Sequence, residues 1–156
     1  MTAAAQSSVP ARVASPDGRR VLVWQKQDDY DYSLHLSDLD TQETREVLRG
    51  SQTGTIAWSP DGAWFFVNVH KSSDWDNAYI YNTATLHRLD LARLIAAHDA
   101  TVRRYRAVGS HMYTVAEKWV DTRTVQVDVS GHTDSPAHGS SIKFLFSLLS
   151  SITKIR

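Results

Sequence analysis

The tetrapeptide Ser15-Pro16-Asp17-Gly18 returns unchanged as Ser59-Pro60-Asp61-Gly62, 44 residues later. Each copy runs into a β-type segment, Arg19-Arg20-Val21-Leu22-Val23-Trp24 and then Ala63-Trp64-Phe65-Phe66-Val67-Asn68-Val69. Proline fixes φ at the second turn position, aspartate can bond its own backbone, and glycine accepts positive φ, so the tetrapeptide encodes a tight hairpin turn. A self-similar period of about 40–50 residues means repeated β-units. Repeated scaffolds of this kind mostly present binding surfaces.

The reading along the chain follows that period. Residues 1–8 read as a disordered arm, and their lack of a basic n-region and an apolar h-region argues against a signal peptide. Strands are expected over Val9–Ala14, Arg19–Lys26, Tyr32–Ser37 and Glu43–Arg49, with a polar loop at Gln27–Asp31. The second unit repeats the order: Thr55–Trp58 leads in, Trp64–His70 is the strongest strand signal, Lys71–Asn77 is the loop, and Ala78–Asn82 answers. Leu91, Leu94, Ile95 and His98 then fall at helical spacing and predict one short helix near 90–98, with Asp90 as its N-cap. Thr101–Val108 and Met112–Lys118 are expected strands, joined by a hairpin turn at Gly109-Ser110-His111-Met112. Trp119–Val129 resembles Trp58–Val69 with one residue deleted and marks a third, degenerate unit. Gly131–Ser141 reads as a loop, Ile142–Leu149 as a last strand, and the rest as a tail. The expectation is a mainly β fold: an open array of about three antiparallel β-units (about 9–50, 51–87 and 101–150) in one domain over 9–156.

Composition narrows the function classes. Seventeen basic and seventeen acidic residues give no net charge, so the electrostatic argument for nucleic acid is missing. Local charge is less even. Lys26–Glu46 holds seven acids and two bases, a net of −5, and Arg88–Arg106 holds five Arg and two Asp, a net of +3. Each is either a solvated face or one edge of a dipolar molecule. No cysteine is present, so disulfides and thiolate chemistry are excluded, and no apolar run approaches a membrane span.

Ser-Pro-Asp-Gly followed by a β-run is similar to the repeat of TolB-type (PD40, WD40-like) β-propellers, well over about residues 9–82 and loosely over 101–149. The resemblance implies blades of four strands, with the turn joining two of them. It says little about function, because propellers host many activities. The WD40 signature itself is absent: Gly131-His132 stands after Trp75-Asp76 instead of before it. Closed propellers typically use four to eight blades. Three units are therefore expected to form an open stack, or an assembly that closes by homo-oligomerising.

The candidate site residues lie in matching loops of the first two units. Asp28, Asp29, Tyr30, Asp31 and Tyr32 form one group, and Asp74, Trp75 and Asp76 the other. Carboxylates beside aromatics suit a basic protein partner: the acids steer and pair, the rings supply buried area. The oxygen spacing matches no calcium loop. His132, Asp134 and His138 share a Gly/Ser/Pro-rich loop at no established zinc spacing. His35, His70 and His87 read as boundary residues, and Trp24, Trp58, Trp64 and Trp119 as core. No Gly-x-Ser-x-Gly elbow, phosphate-cradling glycine loop or His-Glu-x-x-His is present. The expectation is a non-catalytic protein-binding module without a cofactor, for example a bacterial inhibitor or immunity-type protein. The alternatives are a small-ligand or carbohydrate-binding domain of the cell envelope and, behind it, a hydrolase using the loop acids.

Overall fold

A computed structural model describes residues 12–29, 31–51, 54–72, 75–107, 111–131, 138–149 and 151–155. The disordered arm expected at 1–8 lies outside them. Two compact units divide the chain, Met1–Thr53 and Gly54–Arg156.

The first unit is a four-stranded antiparallel meander of β1 (Arg12–Ala14), β2 (Arg20–Lys26), β3 (Tyr32–Asp38) and β4 (Thr44–Ser51), paired in chain order. Val21, Leu22, Trp24, Leu34 and Leu36 are buried, while Arg19, Gln25 and Lys26 are exposed. The Ser-Pro-Asp-Gly turn joins β1 to β2. Gly18 takes φ 71° and donates its N–H to Ser15 O at 2.9 Å. Ser15 Oγ lies 2.6 Å from Asp17 Oδ1 and accepts from Arg20 N at 2.9 Å.

The second unit contains two further meanders. β5 (Ile56–Trp58), β6 (Trp64–Ser72), β7 (Trp75–Asn82) and β8 (Arg88–Asp90) form one, and β9 (Met112–Trp119), β10 (Thr124–Gly131), β11 (Ser141–Ser147) and β12 (Ser151–Ile155) the other. A single parallel pairing, Asp76 with Tyr113, links β7 to β9. The second Ser-Pro-Asp-Gly turn repeats the first bond for bond: Gly62 φ 68°, Gly62 N to Ser59 O 2.9 Å, Ser59 Oγ to Asp61 Oδ1 2.6 Å, Trp64 N to Ser59 Oγ 3.0 Å. In the third meander the turn between Trp119 and Thr124 is one residue shorter. Asp121 still accepts the N–H two residues on, from Arg123 at 2.7 Å. The mainly β architecture of propeller-like units is the one the repeat implies.

Alternation sets the core. Val125, Val127 and Val129 of β10 and Met112, Thr114 and Ala116 of β9 are buried, and all but Thr114 join Phe66, Ile80, Phe144 and Phe146 in one apolar cluster. β6 is buried on both faces: Phe65, Phe66, Val67 and Val69 are all covered. Phe65 stacks on Tyr81 at 5.3 Å on one face, and Phe66 on Trp119 at 6.2 Å on the other. Trp24 is core as expected, but Trp58, Trp64 and Trp119 are only half-buried. Each of the three ends or begins a strand beside a turn, where water reaches one edge of the ring.

One expected element is overturned. Thr101–Val108 is not a strand; Ala100–Ala107 forms a second helix, α2, directly after α1 (Leu91–His98). Asp90 caps α1 by accepting from Arg93 N at 3.0 Å. Asp99 caps α2, accepting from Thr101 N at 2.8 Å and Val102 N at 3.0 Å. Val102 is buried in the core and Tyr105, three residues on, packs against it, so the segment follows helical spacing and not alternation. Of the hairpin turn expected at Gly109-Ser110-His111-Met112, Gly109 and Ser110 lie outside the described residues, and the element before it is α2 and not a strand. β8 and β12 are short strands in segments read from sequence as connection and tail.

Candidate functional site

The two candidate groups sit at the same topological point. The acids of the first lie in the β2–β3 hairpin, and those of the second in the β6–β7 hairpin, each the link between the second and third strand of its meander. The hairpins belong to separate compact units.

The β2–β3 hairpin is ordered by its own acid. Gln27 N donates to Asp31 O at 2.8 Å, and Asp28 Oδ1 accepts from Asp31 N at 2.8 Å, closing an Asx-type turn. Lys26 Nζ meets Asp29 Oδ1 at 3.1 Å, and the Asp29 side chain is 87% exposed. The carboxylate beside it holds the Lys26 ammonium above the usual lysine range. Asp31 is exposed, Tyr32 opens β3 half-buried, and Tyr30 lies outside the described residues. Behind the loop, Gln27 Nε2 donates to the buried Ser33 Oγ at 2.7 Å, and that hydroxyl meets His35 Nε2 at 2.8 Å.

The second group is divided. Asp74 lies outside the described residues, and Trp75 is the first residue of β7. Asp76 is half-buried and does not act as a free loop acid. It stands across β6–β7 from His70, bonds its Nδ1, and marks the place where β7 meets β9. His70 is thus the partner of Asp76 and not a mere boundary residue. In the zinc candidate loop, His138 is exposed and pairs its backbone with Gly131, while His132 and Asp134 lie outside the described residues.

Sequence reading missed the groups that join the second and third meanders. The side-chain amide of Asn68 on β6 donates to Ala116 O and accepts from Ala116 N, both at 2.8 Å, in the manner of a neighbouring strand. Trp119 Nε1 donates to Ala57 O at 3.0 Å. Gly54 lets this region close up, because a Cβ there would meet Asn68 O at 1.6 Å. The available signal was an amide residue inside the otherwise apolar run Trp64–Val69.

The geometry can be compared with solved structures. The β-propeller domain of the trilobed protease from Pyrococcus furiosus superposes with a TM-score of 0.61 at 12% identity, over 95% of this chain and 43% of that one. The fold is that of β-propeller blades. TolB from Acinetobacter baumannii gives a TM-score of 0.51 at 13% identity over 92% of this chain and 31% of that one. Pyrococcus horikoshii acylaminoacyl peptidase gives 0.55 at 12% over 95% and 25%. The chain therefore spans less than half the length of these structures. No family model matches the sequence. No curated protein matches it either. At these identities the likeness concerns the fold alone.

Proposed function

We propose that this protein is a non-catalytic binding module whose β2–β3 hairpin engages a basic protein surface. The observation that carries the reading is the construction of that hairpin. Asp28 is spent on ordering the turn, and the ordered turn holds Asp29 and Asp31 out into solvent. Preformed loop acids raise association rates with a positive partner and select against negative ones. Asp38, Asp40, Glu43 and Glu46 are each paired with an arginine of the same unit, so the hairpin acids carry the attractive field. An inhibitor or immunity-type protein that covers the basic site of a toxin or enzyme is the concrete form of this role.

The experiment is affinity capture with the intact chain, followed by binding kinetics on the captured protein. Asp29→Lys and Asp31→Lys should slow association at least tenfold and leave the melting temperature unchanged. Unaltered association rates in both variants would remove the β2–β3 hairpin from the interface.

A second reading, a small-ligand site, is favoured by a cavity of about 250 Å³ lined by Leu89, Leu94, His98, Phe146, Leu148 and Ile152. It suits a compact apolar molecule with one polar group facing His98.

A further inference from the structure

The helical hairpin α1–α2 is an insertion into the repeat. It adds no strand to either meander, yet it is fastened to the core by Leu91, Ile95 and Val102. Its outer side carries a shallow depression of about 410 Å³ lined by Arg93, Ala96, Ala97, Arg103, Arg106 and Ala107. Three arginines and three alanines thus share one depression.

Among the described residues, neither acid of this segment forms an ion pair with these arginines. Asp90 is occupied as the cap of α1 and also accepts from Asn77 Nδ2 at 3.2 Å. Asp99 caps α2 and faces Lys154 Nζ at 3.8 Å. Among the described residues, neither Arg93 nor Arg106 forms an ion pair, whereas Arg19, Arg20, Arg45 and Arg49 each meet a carboxylate. Arg103 is immobilised: its Nε donates to Ala96 O at 3.0 Å and its Nη2 to Ala97 O at 2.6 Å. Those two bonds quench the carbonyls at the end of α1, which would otherwise repel an anion, and leave the fixed positive charge of Arg103 at the depression. Arg93 and Arg106 are exposed and keep their donor forks available.

We propose that this depression is an oxyanion-binding site, taking a carboxylate or phosphate group between Arg93 and Arg106 beside its alanines. The planar guanidinium fork matches both anions in bidentate fashion, and a neighbouring fixed charge strengthens each bond. The small alanine side chains let the ligand approach the helix surfaces closely. The site lies in the Gly54–Arg156 unit and uses none of the acidic hairpin residues, so it stands or falls separately from the binding role proposed above.

The test is titration calorimetry of the full chain at low ionic strength with two probes, a hexaglutamate peptide and inorganic phosphate. Binding of either probe, weakened at least tenfold in Arg93→Glu/Arg106→Glu, is the expected result, and the probe that binds tells the source of the anion. Both side chains are exposed, so the double variant should keep the wild-type melting temperature; Arg93→Gln/Arg106→Gln repeats the test without reversing charge. Arg19→Glu, in the other compact unit, is the control. The proposal is overturned if neither probe binds, if the double variants bind as the wild type does, or if Arg19→Glu weakens binding equally, which would mean bulk charge alone.

Discussion

Asn68 offers the sharpest test of how the second and third meanders are joined. Its amide makes two bonds of 2.8 Å to the backbone of Ala116, a residue 48 positions away that is 2% exposed. Asn68→Ala removes both and leaves the N–H and the C=O of Ala116 without these partners. Orphaning a buried polar group costs about 1–3 kcal/mol, so the pair amounts to roughly 2–6 kcal/mol. For a unit of this size that lowers the melting temperature by on the order of 10 °C. Asn68→Asp is the discriminating variant. It keeps an acceptor for Ala116 N but sets a carboxylate oxygen against Ala116 O, so it should destabilise at least as much as alanine despite near-identical shape. Thermal melts give the stability change, and amide exchange followed by NMR should show the Ala116 N–H losing protection in both variants. Wild-type melting temperatures together with a protected Ala116 amide would refute the clamp and the β6–β9 placement that depends on it.

Further expectations follow from the turns, core and loops. Ser59→Ala removes the acceptor of Trp64 N–H and the partner of Asp61, and should cost about 1–3 kcal/mol in chemical denaturation. The hydrogen bond from Ser59 holds the Asp61 carboxyl below its usual value of 3.8, and Ser15 does the same for Asp17. A lowered folded-state pKa gives stability that is present above the unfolded value and lost as pH falls through the folded one. Acid titration of stability should therefore show a decline below about pH 4 that is smaller in Ser59→Ala. Phe66→Ala, at a fully covered ring stacked on Trp119, should cost about 3–5 kcal/mol. Trp64→Ala should cost less, because its ring is only half-buried; equal costs would place Trp64 in the core. Asp76→Lys should lower the melting temperature as well as any affinity, since Asp76 bonds His70 at a strand junction, while Asp29→Lys should leave folding intact.

The parts of this protein legible in its sequence are those whose bonds close within a few residues. Ser59, Asp61, Gly62 and Trp64 complete their hydrogen bonds inside one turn, so two identical tetrapeptides announced two identical hairpins and with them the blade repeat. Valine alternation in β10 and the apolar run of β6 likewise name their buried faces without reference to anything distant. The Asp28 turn is of the same kind, since its bond to Asp31 closes within three residues. Other features waited on the tertiary structure. The Thr101–Val108 segment reads as a strand from sequence, and packing of Val102 and Tyr105 against the core decides for the helix Ala100–Ala107. Asp76 looked like its neighbours in the loop, yet cross-strand register sets it against His70 and takes it out of the exposed set. Asn68 and Ala116 meet only because two blades are brought side by side, and Arg93, Arg103 and Arg106 surround one depression only because α2 folds back beside α1. Contacts between residues distant in sequence depend on register and packing, and no local pattern of residues encodes either.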